Sequence, residues 1–192
     1  LRSITYHSTS EDPTITSFNR TITWEVTDAD SESLGAKSST AVTSTITITP
    51  VNDPPVMIAG GTLSYTENSS PAAIDNITIT DDDDIDMSGS TVTITSGITT
   101  GDTLALSTQN GISGTYDSST GVLTITGQAS TENYQTALRS ITFHSTSVDP
   151  TITAGSRTII WAVTDANSES LGAETSSDVT STINITPIND AP

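Results

Sequence analysis

The chain contains no cysteine, which excludes disulfides and thiol chemistry and leaves any stapling to another device. Basic residues are nearly as scarce: five Lys and Arg stand against 23 Asp and Glu, a net charge of −18. That balance excludes nucleic acid as a partner, because phosphate binding rests on Lys and Arg. Aromatics are 4% of the residues, so an exposed sugar-stacking platform is not expected. No apolar run approaches the roughly 20 residues of a membrane span, and direct membrane insertion is not expected. The two histidines, His7 and His144, have no partner Cys or third His with which to hold a catalytic metal. There is no phosphate loop and no Ser-His-Asp pattern. Carboxylates are so common that a pair of them says nothing about a glycosidase site. The chain is not expected to be an enzyme.

Sparse hydrophobics with a high net charge would ordinarily mean disorder. The patterning argues against it. Ser and Thr make up about a third of the chain, and Thr, Ile and Val alternate as strands do. Thr is β-branched, favours the extended backbone and tolerates water on its outer face. The expectation is a folded, all-β, highly soluble protein.

A repeat organises it. Leu1–Pro55 and Leu138–Pro192 align without a gap, with 40 of 55 positions identical, a period of 137 residues. Self-similarity at a fixed period marks a tandem array. Residues 1–50 are expected to be the C-terminal part of one repeat, 51–55 a linker, 56–187 a complete repeat and 188–192 the start of the next linker. Val51-Asn52-Asp53-Pro54-Pro55 carries two prolines that interrupt β-pairing. Strands are expected at Val56–Ile58, Leu63–Thr66, Ile74–Thr80, Thr91–Thr95, Thr103–Ser107, Ser113–Tyr116, Val122–Thr126, Ser140–His144, Arg157–Thr164 and Val179–Thr186. A short helix follows the cap Ser130 or Thr131. Many short strands with regular turns read as a Greek-key sandwich. Trp161, and Trp24 at the matched position, are expected to anchor the core. Arg139 and Arg157 are expected to neutralise carboxylates or pack their stems on the sheet.

The sharpest chemical feature is Asp81-Asp82-Asp83-Asp84-Ile85-Asp86, a loop between two strands. Five carboxylates in six residues repel one another unless a cation neutralises them. Ca2+ takes six to eight oxygen ligands in flexible geometry. On alternation, Asp82, Asp84 and Asp86 are expected to point the same way, with Asp81 beside them; a merely solvated acidic loop is the alternative. In a seven-stranded sandwich the loop holding Asp165, Asn167 and Glu169 would lie at the same pole, where the linker Asn52-Asp53 arrives. The opposite pole of the preceding unit would bring Glu11 and Asp12 there. Asn167 is replaced by Asp30 in the partial unit, and both are oxygen ligands.

Thr49-Pro50-Val51-Asn52-Asp53-Pro54-Pro55 resembles the Asn-Asp-x-Pro junction of bacterial cadherin-like repeats. Tyr65-Thr66-Glu67-Asn68 resembles their early Glu-Asn motif, and Thr80–Asp86 their acidic loop. The stretch from Gly114 to Thr142 is similar to repeats of large bacterial surface proteins, including RTX-type adhesins. The resemblance implies an Ig/cadherin-like Greek-key β-sandwich in a tandem array, with Ca2+ between successive domains. It implies Glu67, Asp149, Asn189 and Asp190 as ligands at the lower pole, and Asp82, Asp84, Asn52 and Asp53 at the upper. In place of the family's Asp-Arg-Glu type motif stand Ser147-Val148-Asp149-Pro150 and Ser10-Glu11-Asp12-Pro13.

The expected function is a calcium-stiffened extracellular spacer of a surface adhesin, secreted or on the cell surface. Its partners would be the neighbouring repeats, with homotypic contacts through exposed strands also possible. The alternative is a repeat that itself mediates Ca2+-dependent adhesion, to another copy or to glycan. Four Asn-x-Ser/Thr sequons, at Asn19, Asn68, Asn76 and Asn184, are expected by chance in so Thr-rich a chain.

Overall fold

A computed structural model describes residues 3–168 and 170–190. Leu1 and Arg2, Glu169 of the expected acidic pole, and Ala191 and Pro192 of the second linker lie outside the described residues. The chain divides into two compact units, Leu1–Val51 and Asn52–Pro192.

The first unit is built on one antiparallel hairpin, β1 (Asn19–Trp24) and β2 (Val42–Thr47). One face of β1 carries Asn19, Thr21 and Thr23, and the other carries Arg20, Ile22 and Trp24, each only half-buried. Trp24 Nε1 donates to Ser44 Oγ on the paired strand at 2.8 Å. Asp12 closes a tight turn by accepting from the Thr14 amide and hydroxyl.

The second unit is a β-sandwich of two layers with one short helix among its described residues. Its strands are β3 (Val56–Ile58), β4 (Thr62–Thr66), β5 (Ala72–Ala73), β6 (Thr78–Thr80), β7 (Asp86–Ser96), β8 (Asp102–Ala105), β9 (Ser113–Asp117) and β10 (Val122–Ser130). The helix α1 (Thr131–Arg139) precedes β11 (Thr142–Ser145), β12 (Ser156–Asp165) and β13 (Val179–Thr186). One sheet runs β4-β13-β12-β7-β10-β9, parallel between β4 and β13 and antiparallel elsewhere. The other layer comprises β5-β11-β8 and the pair β3-β6.

Alternation drives this arrangement. In β12, Ile159, Trp161 and Val163 point inward and are fully buried, while Thr158, Ile160 and Thr164 lie on the other face. Val92 and Ile94, Leu123 and Ile125, and Ile183 do the same on neighbouring strands. The second layer contributes Met57, Ile79, Leu104 and Phe143. Phe143 meets Tyr65 edge-on with ring centroids 5.0 Å apart, an arrangement that aligns positive ring edge with negative face. The helix closes one side through Tyr134, Ala137 and Leu138. Ser130 caps it by accepting from the Asn133 amide.

Two polar devices cross the core. Arg157 and Asp102, both fully enclosed, pair at 2.6 Å and tie the large sheet to β8. The remaining guanidinium donors reach Asp102 Oδ1 and the carbonyls of Pro150, Ala154 and Ser156. Trp161 Nε1 donates to Ser181 Oγ, which in turn donates to Asp75 Oδ2. That same oxygen accepts from the amides of Gly60 and Gly61 at 3.0 and 2.7 Å. A Cβ at Gly61 would lie 2.3 Å from Asp75 Oδ1, so a side chain there would displace the carboxylate.

Two expectations need correction. Ile74–Thr80 is not one strand: β5 and β6 belong to different sheets, and between them Asp75 turns to bind the Gly60–Gly61 backbone. Trp24 does not anchor a core as Trp161 does: it is only half-buried, because among the described residues of the first unit no second sheet packs over its hairpin.

Candidate metal centre

At one pole of the second unit, three segments distant in sequence are hydrogen-bonded together. Asn52 Nδ2 donates to Asp165 Oδ2 at 3.0 Å and to the Gly172 carbonyl at 2.9 Å. The Asp53 amide donates to Asp83 Oδ2 at 2.9 Å. The Ser168 amide donates to Asp84 Oδ1 at 3.2 Å, and the Ala166 amide to the Asp86 carbonyl. The segment Asn52–Asp53, the aspartate loop and the β12–β13 loop thus meet.

The aspartate loop is a turn, not an extended stretch. Asp81 Oδ1 accepts from the amides of both Asp83 and Asp84, which folds the chain back and brings residues 81, 83 and 84 inward. Alternation among Asp82, Asp84 and Asp86 therefore does not describe it. Asp82 is exposed, whereas Asp84 is 2% exposed. Asp86 sits at the start of β7 and accepts from Gln128 Nε2. Thr131 anchors the far side of the turn, its amide and hydroxyl both donating to the Ile85 carbonyl.

Four oxygens here are buried and have no hydrogen-bond donor among the described residues: Asn52 Oδ1, Asp81 Oδ2, Asp83 Oδ1 and Asp84 Oδ2. A buried unpartnered carboxylate oxygen costs on the order of 1–3 kcal/mol or more in desolvation. Burial pushes the Asp81 carboxyl up to about 6, helped by the neighbouring Asp83 carboxylate and opposed by the amide hydrogen bonds from Asp84 and Asp83. Asp83 was missed by the alternation reading; its signal is its place two residues after the carboxylate that organises the turn. Asp165 is fully buried but satisfied, accepting from the amides of Asn167 and Glu174 as well as from Asn52. Asn167 uses its Oδ1 on the Gly172 amide and has a positive φ of 55°.

The Glu67 side chain forms a second such point. It is 4% exposed, its Oε2 accepts from the Ile188 amide at 2.9 Å, and its Oε1 has no donor. Asn189 and Asp190 follow directly and are exposed. Asp149 is exposed and uses Oδ1 on the Thr151 amide and hydroxyl, as Asp12 does for Thr14 in the first unit. Glu11 is exposed, and it and Asp12 belong to that first unit.

Among the described residues no three carboxylate or imidazole side chains stand in an arrangement that could hold a metal by themselves. The buried donor set is all oxygen and includes an amide, the chemistry of a hard cation that completes its shell with carbonyls and water. In kind, if not in number, these residues fit Ca2+. Among the described residues no helix is long and apolar enough to cross a membrane.

No protein-family model matches the chain. Halomucin of Haloquadratum walsbyi is 35% identical over 108 residues, which cover 53% of this chain and 1% of halomucin. The chain thus spans about a hundredth of that relative. Among solved structures it is similar to the extracellular cadherin domains 1–5 of protocadherin gamma B2, with a TM-score of 0.42 and 16% identity. That similarity covers 90% of this chain and 27% of the protocadherin. Mouse protocadherin-24 domains EC1–3 give a TM-score of 0.38 at 13% identity, over 92% of this chain and 48% of that one.

Proposed function

We propose that the chain is a calcium-stiffened extracellular spacer from the repeat array of a surface adhesin, without enzymatic activity. The observation that carries this reading is the set of four buried, unpartnered oxygens where the linker enters the complete repeat. Asn52, Asp81, Asp83 and Asp84 would hold the ion, and Glu67 with Asn189 and Asp190 would serve the next junction. When bound, Ca2+ supplies positive charge to a pole whose carboxylates otherwise repel one another. The protein's own part is to fix the linker. Asn52 and Asp53 are already bonded to Asp165 and Asp83, so neutralising the loop makes the linker and the repeat one stiff piece. Repetition at a period of 137 residues multiplies that stiffness along an array.

Calorimetric titration of Ca2+ into metal-stripped protein, with thermal unfolding in parallel, tests the reading. Saturable binding and a raised melting temperature are expected; ligand at 100 times its Kd adds about 2.7 kcal/mol. Asp83→Asn and Asp84→Asn should abolish most of the rise, and the exposed Asp82→Asn should leave most of it. An equal response to Mg2+ or to salt alone, or no saturable binding, sinks the proposal.

A further inference from the structure

The four sequons are readily explained by composition, but the position of two of them is not. In the first unit Asn19 begins the sequon Asn19-Arg20-Thr21 on β1, and its cross-strand partner is Thr47. One period later the hairpin has Ser156 and Asn184 at those places, and these two also pair. The asparagine has moved to the opposite strand, where Asn184-Ile185-Thr186 is again a sequon. Both asparagines therefore occupy one cross-strand site on the outer face of the hairpin, although they are not equivalent in sequence. Period-2 alternation explains why each sequon survives: the residue two places on shares the face, and on this face it is Thr.

The site is open. Asn19, Thr21, Asn184 and Thr186 are all exposed. Asn184 is flanked across the strands by the small side chains of Ser156 and Ser64, both exposed. Asn19 Oδ1 accepts from Thr47 Oγ1 at 3.0 Å, which leaves its Nδ2 free to react. An Asn-hydroxyl cross-strand bond would by itself account for pairing an Asn with Thr47. It does not account for Asn184, whose side chain makes no hydrogen bond among the described residues.

From this geometry we propose that the repeat is N-glycosylated at this shared site, on Asn19 in the first unit and Asn184 in the second. The donor is a lipid-phosphate-linked oligosaccharide. The Asn Nδ2 bonds to sugar C1 as the C1–O bond to phosphate breaks, and the displaced amide proton leaves with the phosphate. A bulky, hydrated group there covers a patch of small hydroxyl side chains that carries no charge of its own, unlike the acidic pole. The proposal rests on the extracellular placement given above.

The test is peptide mass spectrometry on the full-length protein, shaved by protease from intact cells that produce it. Glycan mass is expected on the peptides holding Asn19 and Asn184. Thr21→Ala and Thr186→Ala keep each asparagine but break its sequon; each should lose one glycan with the unfolding midpoint of protein from a non-glycosylating host unchanged. Protein present in the shaved fraction with both asparagines unmodified overturns the glycan and spares the placement. Absence from that fraction, with the protein retained inside the cells, overturns both. Glycan that persists after either substitution overturns the assignment to these asparagines.

Discussion

Arg20 and Arg157 stand at the same position of two copies of one hairpin, and they end in different surroundings. Each sends Nη2 back to a proline carbonyl, Pro13 or Pro150, seven residues earlier. Only Arg157 then finds a carboxylate, because Asp102 arrives on β8, an element with no counterpart among the described residues of the first unit. The pairs Ile4 and Ile141, Tyr6 and Phe143 behave likewise: 56% and 44% exposed in the first unit, fully buried in the second. Trp24 and Trp161 bond the same serine position at the same 2.8 Å, yet only Trp161 is enclosed. Local sequence therefore dictates the hairpin, its cross-strand bonds and its turns. Burial is decided by residues far away along the chain.

Breaking the partner that only the second unit has should give the largest effect. Asp102→Ala leaves a fully buried guanidinium uncompensated and is expected to cost about 3–5 kcal/mol. Arg20→Met, which removes no ion pair, should cost under about 1 kcal/mol. Each unit holds one of the two tryptophans, so urea unfolding followed by fluorescence reads one unit at a time when the other tryptophan is replaced by Phe. Equal losses from the two substitutions would refute the contrast. A smaller effect is expected one step along. Ser181→Ala strands the buried Trp161 N–H and removes a donor from Asp75, for about 1–3 kcal/mol. Ser44→Ala exposes its Trp24 N–H to water and should cost a few tenths.

The same contrast explains what could be read from the residues alone. The repeat, the strands on either side of Trp161 and the capped helix are written in local patterns: a period, alternation, a Ser before Glu132. The meeting of Asn52–Asp53, the aspartate loop and the β12–β13 loop was legible because sandwich topology leaves few places for them. The break at Asp75 was not, since its cause is the backbone of Gly60 and Gly61 fourteen or more residues away. Nor was Asp102 identifiable as the partner of Arg157 across 55 residues. Asp83 escaped because strand alternation was extended into a segment that Asp81 bends into a turn.

Asp75 offers the finest test, because it ends a relay with no counterpart among the described residues of the first unit. Burial acts to raise its carboxyl, but the bonds from Ser181 and from the amides of Gly61, Gly60 and Asn76 outweigh burial and hold it below the ordinary value of 3.8. A carboxyl depressed in the folded state favours folding wherever it is ionised. Its contribution is complete above the ordinary value and is lost as pH falls through the depressed folded value. Acid titration of unfolding in the Trp24→Phe background should thus show stability declining below about pH 4, and Asp75→Asn should flatten that part of the curve. The neutral amide can still accept from Gly60 and Gly61, so the loss at pH 7 should be modest and the change of slope the clearer signal. An unchanged acid slope in Asp75→Asn would place the pH dependence elsewhere, and the Trp161–Ser181–Asp75 relay would then be a packing feature no more electrostatic than the Trp24–Ser44 bond.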